Sequence, residues 1–269
     1  MSYNRKVHVM HIIESLEFGG AEKVLVQLAN KFSEKIQVSV CLTKKRGPLI
    51  EQLSPNIQVY CLDAGEGNNF RVPLGIAKLI SKHKVTIIHT HDWGVYLEGS
   101  LARALRPNSR HIHTAHGHYM HYPNGRIPLL KKKVRHAFEK QASRLTAAFI
   151  GVSTSICDYI EKDIGVAASK TFVIHNSISA TYTLTKKNSN RIPKLISVGR
   201  LVPVKNYKMM LNALAKVSLD FHLTIVGDGP ERSILEQQSK TLGLESKIDF
   251  LGFQTAIDPL LANKDLFLL

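Results

Sequence analysis

Cysteine is scarce in this 269-residue chain: Cys41, Cys61 and Cys157 are the only three. The number is odd and no C-x-x-C pair occurs, which argues against a disulfide framework and a zinc ribbon. All three are expected as reduced core residues. Long apolar runs are missing too, since none approaches the roughly 20 residues that cross a bilayer. The opening stretch from Arg5 to Ile13 is interrupted by His8 and His11 and is followed by no small-residue cleavage site. It reads as a buried first strand rather than a secretion signal, and the expected compartment is the cytosol. Acidic residues are the third deficit, 21 against 36 Lys and Arg, for a net charge of +15. Hydrophobic residues at 44% and charged residues at 21% describe a packed chain and rule out intrinsic disorder.

The positive excess is uneven. Residues 103–144 hold ten basic residues and one acid, Glu139. Such a window implies an anionic partner: a phosphorylated ligand, an acidic membrane or a nucleic acid. Lys131, Lys132, Lys133, Arg135 and Lys140 fall in one expected helix, where several share a face. That face is either simply solvated or docks on anionic lipid. Nucleic acid is not expected as a partner, because no helix-turn-helix, RNA-binding signature or aromatic–basic interleaving occurs.

Short β-branched runs alternate with helical patterns. Strands are expected at 7–13, 36–42, 57–62, 85–90, 111–115, 148–152 and 171–175. Helices are expected at 21–32, 74–82, 95–105, 129–143 and 155–163. A polar segment then breaks the alternation, and it restarts with strands at 194–198, 222–226, 247–251 and 265–269. Helices are expected between them at 207–217, 231–242 and near 256–262. The organisation expected is a first domain over 1–183, a linker over 184–193 and a second domain over 194–269. Repeated strand–helix alternation gives α/β architecture, two doubly wound Rossmann-like domains in tandem. Residues 194–269 fall short of the ~100–150 typical of a domain, and no crossover helix follows the last strand, so the second domain is expected to be incomplete.

Three turns carry chemistry. Gly19-Gly20-Ala21-Glu22 follows the first strand, where glycines let backbone N–H groups approach an anion and the next helix aims its N-terminal dipole at the same spot. It lacks the six-residue dinucleotide fingerprint, and its glycines serve either a diphosphate or the turn alone. Ser197-Val198-Gly199-Arg200-Leu201, followed by Lys205, puts a guanidinium and an ammonium at the carboxyl edge of a sheet, where open α/β folds bind ligands. Two such cations neutralise a departing diphosphate, unless they are plain surface charges. Gly227-Asp228-Gly229-Pro230 is a tight turn into a helix at the same kind of edge.

Histidines form the fourth set: His89-Thr90-His91, then His111, His113, His116, His118 and His121. His-x-His on a strand puts both rings on one face, a pattern that metal sites use. A metal-dependent hydrolase is the alternative this raises, but no carboxylate ligand set follows. Most of these histidines are expected to be hydrogen-bonded at strand ends, and His116, beside Gly117, is expected to face a cleft.

These blocks in this order resemble the retaining glycosyltransferases of the GT-B fold, in the family called glycosyltransferase family four or "group one". The matching pieces are Gly19-Gly20-Ala21-Glu22, His89-Thr90-His91, Thr114-Ala115-His116-Gly117, Gly151-Val152-Ser153, His175-Asn176-Ser177-Ile178, Gly199-Arg200-Leu201 with Lys205, Gly227-Asp228-Gly229-Pro230 and Phe250-Leu251-Gly252. The resemblance implies a nucleotide-sugar donor, UDP- or GDP-linked, bound between two domains. It implies a glycan or lipid-linked acceptor of cell-surface polysaccharide or lipopolysaccharide synthesis, at the cytoplasmic membrane face. By resemblance, Arg200 and Lys205 hold the diphosphate, Gly20 brings it an N–H, and His116 assists the transition state. Gly19, Gly199, Gly227, Gly229, Gly252 and Phe253 complete the donor side; His118, Tyr119 and Arg126 belong to the acceptor side. No metal or other cofactor is implied. The family's two glutamates, about two helical turns apart after the last strand here, have no counterpart. The expectation is therefore a chain truncated before its donor site is complete and impaired in transfer, or a non-catalytic remnant.

Overall fold

The structure is a computed structural model that describes residues 7–65, 69–118, 126–177 and 192–269, without the side chains of 126–129. The chain divides into two compact units, Met1–Ile178 and Ser179–Leu269. Most of the expected linker, together with Tyr119, lies outside the described residues.

The first unit runs β1 (His8–Ile13), α1 (Gly20–Ser33), β2 (Gln37–Leu42), β3 (Gln58–Cys61), α2 (Arg71–His83), β4 (Ile87–His91), α3 (Tyr96–Leu105), β5 (Arg110–Ala115), α4 (Arg126–Ala142), β6 (Ala148–Gly151), α5 (Thr154–Tyr159) and β7 (Thr171–Val173). Its sheet has the order β3-β2-β1-β4-β5-β6-β7, and every pairing is parallel. Parallel strands need crossovers, and crossover helices cover both faces, so central strands are apolar throughout. All six residues of β1 are buried. Met10, Ile12 and Ile88 pack under Val72, Ile76 and Ile80 of α2. On the opposite face Ile13, Val40 and Leu42 pack under Leu25, Val26 and Ala29 of α1.

The second unit runs β8 (Lys194–Val198), α6 (Tyr207–Leu214), β9 (His222–Val226), α7 (Arg232–Thr241), β10 (Ile248–Gly252), α8 (Asp258–Ala262) and β11 (Leu266–Phe267). Its four described strands are parallel, in the order β10-β9-β8-β11. Leu195, Leu223 and Ile225 pack against Leu211, Leu214 and Leu235.

Helix ends differ from the sequence expectation where capping decides them. The helix expected over 155–163 starts at Thr154, because the Ser153 hydroxyl accepts from the Ile156 N–H. It is α-helical through Tyr159, widens to a π turn over Ile160–Ile164 and stops at Gly165, whose φ is +82°. Among the described residues no helix is long and apolar enough to cross a membrane.

Candidate functional site

Three loops converge at the carboxyl edge of the second sheet, fastened by main-chain hydrogen bonds. Gly199 N–H donates to Val226, Leu201 N–H to Asp228, Glu231 N–H to Leu201 and Gly227 N–H to Gly252. Such contacts bring backbones unusually close. A Cβ on Gly227 would lie 1.9 Å from the Gly199 carbonyl oxygen, and one on Gly229 would lie 2.4 Å from that of Leu201. The structure thus gathers Gly199, Gly227, Gly229 and Gly252, which the sequence places in three separate turns. Gly227 and Gly229 have a packing reason that holds with or without a ligand.

Arg200 and Lys205 stand exposed on the first of these loops. The nearby carboxylates are committed elsewhere: Asp228 and Glu236 to Arg232, and Glu231 to Lys208 at 2.9 Å. Among the described residues neither Arg200 nor Lys205 has a carboxylate partner. Two uncompensated cations beside a glycine-rich sheet edge attract an anion. Phe253 is exposed just past β10, next to Gly252, whose φ is +69°.

In the first unit, Gly19 is the extended residue before α1 and Gly20 opens the helix. The Glu22 carboxylate folds back over Gly19, so this helix start already faces an anion. His118 is exposed, 3.3 Å from the Ser155 hydroxyl and edge-on to Tyr159. Arg126 opens α4, but its side chain lies outside the described residues. A polar cleft of about 140 Å³ at the carboxyl edge is lined by Glu14, Lys44, Asn69, Glu98 and Arg135, among others. Sequence reasoning missed it, because its walls come from loops after four different strands.

The histidines are hydrogen-bonded, as expected, but they belong to the core, and His89 and His113 sit in mid-strand rather than at strand ends. His11, His89, His91, His111 and His113 are all buried. On the α1 face, His11 pairs in register with His89, and the His89 and His91 rings lie 4.2 Å apart. His91 bonds both His11 and His116, at 3.0 and 3.1 Å, and His89 bonds Thr114 at 2.7 Å. On the other face Thr90 bonds His111 and His113. Burial lowers the pKa of His11 and His116 to about 4 and that of His111 to about 3, and it pushes His89, His91 and His113 well below their ordinary value. Two further residues hold the His116 loop. The Asp92 carboxylate accepts the His116 backbone N–H at 3.3 Å, and Trp93 Nε1 donates to the Gly117 carbonyl at 2.9 Å. Asp92 adopts a φ of +64°, and burial raises its pKa to about 6.

The basic helix corrects one expectation. Arg135 is not part of an outward patch: it donates to Glu139 at 2.7 Å and to the Trp93 carbonyl at 2.7 Å. Glu139 is 1% exposed, so its charge needs that guanidinium. Arg135→Met is expected to cost about 2 kcal/mol in urea unfolding, below the 3–5 kcal/mol of a fully buried pair because Arg135 itself still reaches solvent. Adding Glu139→Gln should recover part of the loss. Lys131, Lys133 and Lys140 do point outward, and Lys132 is half-buried. Between them runs an apolar stripe that sequence reasoning overlooked: Leu130, Val134 and Phe138 are 63%, 48% and 63% exposed.

Two doubly wound parallel sheets, the second with cationic, glycine-bearing loops at its carboxyl edge, define the architecture of a GT-B glycosyltransferase. The family model "Glycosyltransferase Family 4" matches residues 18–182, and "Glycosyl transferases group 1" matches 184–269. The chain belongs to glycosyltransferase family 4. It is 23% identical to the UDP-Gal:alpha-D-GlcNAc-diphosphoundecaprenol alpha-1,3-galactosyltransferase of Escherichia coli, over 100% of this chain and 74% of that protein. It is also 23% identical to the capsular polysaccharide biosynthesis glycosyltransferase CapH of Staphylococcus aureus, over 81% of this chain and 60% of that one. Among solved structures, Anabaena HepE in complex with UDP and glucose superposes with a TM-score of 0.76 at 22% identity, covering 97% of this chain and 73% of HepE. A glycosyltransferase from Rickettsia africae superposes with a TM-score of 0.75 at 20% identity, covering 98% and 73%.

Proposed function

We propose that this chain is a retaining glycosyltransferase that moves a sugar from a UDP- or GDP-sugar to a glycan or lipid-linked acceptor in the synthesis of cell-surface polysaccharide. The observation that carries the reading is the pair Arg200 and Lys205, exposed and without carboxylate partners among the described residues, where three glycine-bearing loops converge. In glycosyl transfer the bond to the diphosphate loosens and negative charge grows on the leaving group. Fixed cations aimed at that charge lower the barrier, and with them the reaction needs no metal ion. The relatives whose names specify UDP-Gal, diphosphoundecaprenol and capsular polysaccharide support both the donor class and the acceptor class.

The first unit offers the acceptor its polar cleft and the His116–His118 loop. The test is transfer by the full chain with a panel of UDP- and GDP-sugars. Arg200→Ala is expected to lower kcat about 100-fold, roughly 3 kcal/mol, with a smaller effect on KM. No transfer from any donor, or an Arg200→Ala chain as fast as the parent, would sink the reading.

Peripheral binding to an anionic membrane belongs to the same reading. An apolar stripe flanked by lysines inserts shallowly while the ammonium groups meet lipid phosphates. At about 1 kcal/mol per basic residue, Lys131→Glu with Lys133→Glu should weaken co-sedimentation with anionic vesicles at least 30-fold. Binding that ignores lipid charge would contradict it.

A further inference from the structure

A single line of imidazoles crosses the first sheet from its middle to its carboxyl edge. His11 Nδ1 lies 3.0 Å from His91 Nε2, and His91 Nδ1 lies 3.1 Å from His116 Nε2. His91 therefore spends both nitrogens on its neighbours. At the two ends, His11 Nε2 and His116 Nδ1 are buried and have no partner among the described residues. Burial keeps all three rings neutral near pH 7, so each carries one N–H.

Three N–H protons serve two bonds, which leaves one proton over and only two polarities. In the first, His11 Nδ1–H donates to His91 and His91 Nδ1–H donates to His116 Nε2. The spare N–H is then His116 Nδ1. In the second polarity both bonds reverse and the spare N–H is His11 Nε2. A buried N–H without an acceptor is costly. His11 is wholly buried in mid-sheet, with the Phe32 ring 6.0 Å away. His116 is only half-buried, at the edge where an open α/β sheet receives its ligand. The first polarity puts the spare donor on the half-buried ring at the sheet edge rather than deep in mid-sheet.

We propose that His91, backed by His11, is a positioning residue that locks His116 into the Nδ1–H tautomer and so presents one hydrogen-bond donor at the carboxyl edge. The ring's partner on one nitrogen decides what the other offers. Asp92 and Trp93 clamp the backbone on either side of His116, so the tautomer is the freedom that His91 removes. The lone Nδ1–H suits an oxygen of the sugar or of its acceptor. Its catalytic use rests on the glycosyltransferase reading above; the tautomer itself does not.

Long-range proton–nitrogen correlation spectra of the full chain, with nitrogen-15 histidine at pH 7.5, test the lock. His116 is expected to be protonated at Nδ1 and bare at Nε2. His91→Leu should turn it to the Nε2–H form, and His91→Asn, whose amide can donate from the place of Nδ1, should keep it. In the transfer assay His91→Leu should lower kcat about tenfold with donor KM within twofold, and His91→Asn should recover most of the rate. A parent spectrum with His116 protonated at Nε2, or one unchanged by His91→Leu, overturns the proposal. So does stoichiometric Zn2+ uptake that shifts His11, His89 and His91 together. A tautomer switch with unchanged kcat overturns the positioning role. Absence of transfer by the parent chain counts against the glycosyltransferase reading, and the spectrum then decides the lock alone.

Discussion

Lowering the pH from 7 to 5 is expected to destabilise the first unit by about 6 kcal/mol. Six imidazoles in it, His11, His89, His91, His111, His113 and His116, have pKa values pushed far down by burial, to about 4 for His11 and His116 and about 3 for His111, and His8 is lowered by burial as well. In the unfolded chain each titrates near 6.5. Below that pH the unfolded state takes up protons that the folded state refuses, so stability present above pH 6.5 is lost as pH falls. Each refused proton costs about 1.4 kcal/mol per pH unit.

Carboxyls act in the opposite sense. Burial raises Asp92, to about 6, and also Glu98 and Glu139, so the folded state holds protons there that the unfolded state releases. If all three offset fully, a net uptake of about three protons remains, or about 4 kcal/mol per pH unit. That consumes a stability of 5–15 kcal/mol within a few pH units. The chain's one tryptophan, Trp93, lies 4.9 Å from the His113 ring and reports on this unit. The second unit carries a single histidine, His222, bonded to Asp249 at its surface. A Trp93 fluorescence midpoint in urea that stays constant between pH 7 and pH 5 would refute the expectation.

Gly227→Ala is expected to destabilise the second unit by about 4 kcal/mol or more. Its φ of +137° is a conformation that costs a side-chain-bearing residue about 1–3 kcal/mol. The new methyl would also meet the Gly199 carbonyl oxygen at 1.9 Å, and overpacking costs a further 1–3 kcal/mol or more. Relief by movement is blocked. Gly199 N–H is tied to Val226 and Gly227 N–H to Gly252, so shifting either loop breaks another bond. The control is Gly20→Ala, where a Cβ meets nothing within 4 Å and the helix gains a better former. Urea unfolding of the two variants should separate them clearly, and equal midpoints would show that the carboxyl-edge loops yield.

Much of the fold was legible because parallel strands buried on both faces are short apolar runs. The strands expected at 194–198 and 222–226 coincide with β8 and β9, and β1 differs from its expected span by one residue. The turns at Gly199 and Gly227 were legible as edge loops, since each directly follows a strand, whereas Gly252, the last residue of β10, entered only through the family resemblance. The imidazole line was only half legible. Spacing puts His89 and His91 on one face, but the His11–His89 register is a pairing of residues 78 apart that no local pattern contains. Arg135 was misread by counting basic residues at helical spacing. The signal was present: Glu139, the single acid of the window, stands four residues on, the reach of a helical ion pair. Leu130, Val134 and Phe138 show the same four-residue spacing, masked in the sequence by the lysines around them.

The second sheet's edge loops are joined to one another through peptide groups, not through the side chains proposed to hold the donor. Arg200 and Lys205 can therefore be exchanged while the frame that carries them stays in place. On the proposed donor role, such a scaffold is open to change in preference, because a new sugar or base needs new fittings on the rim rather than a new rim.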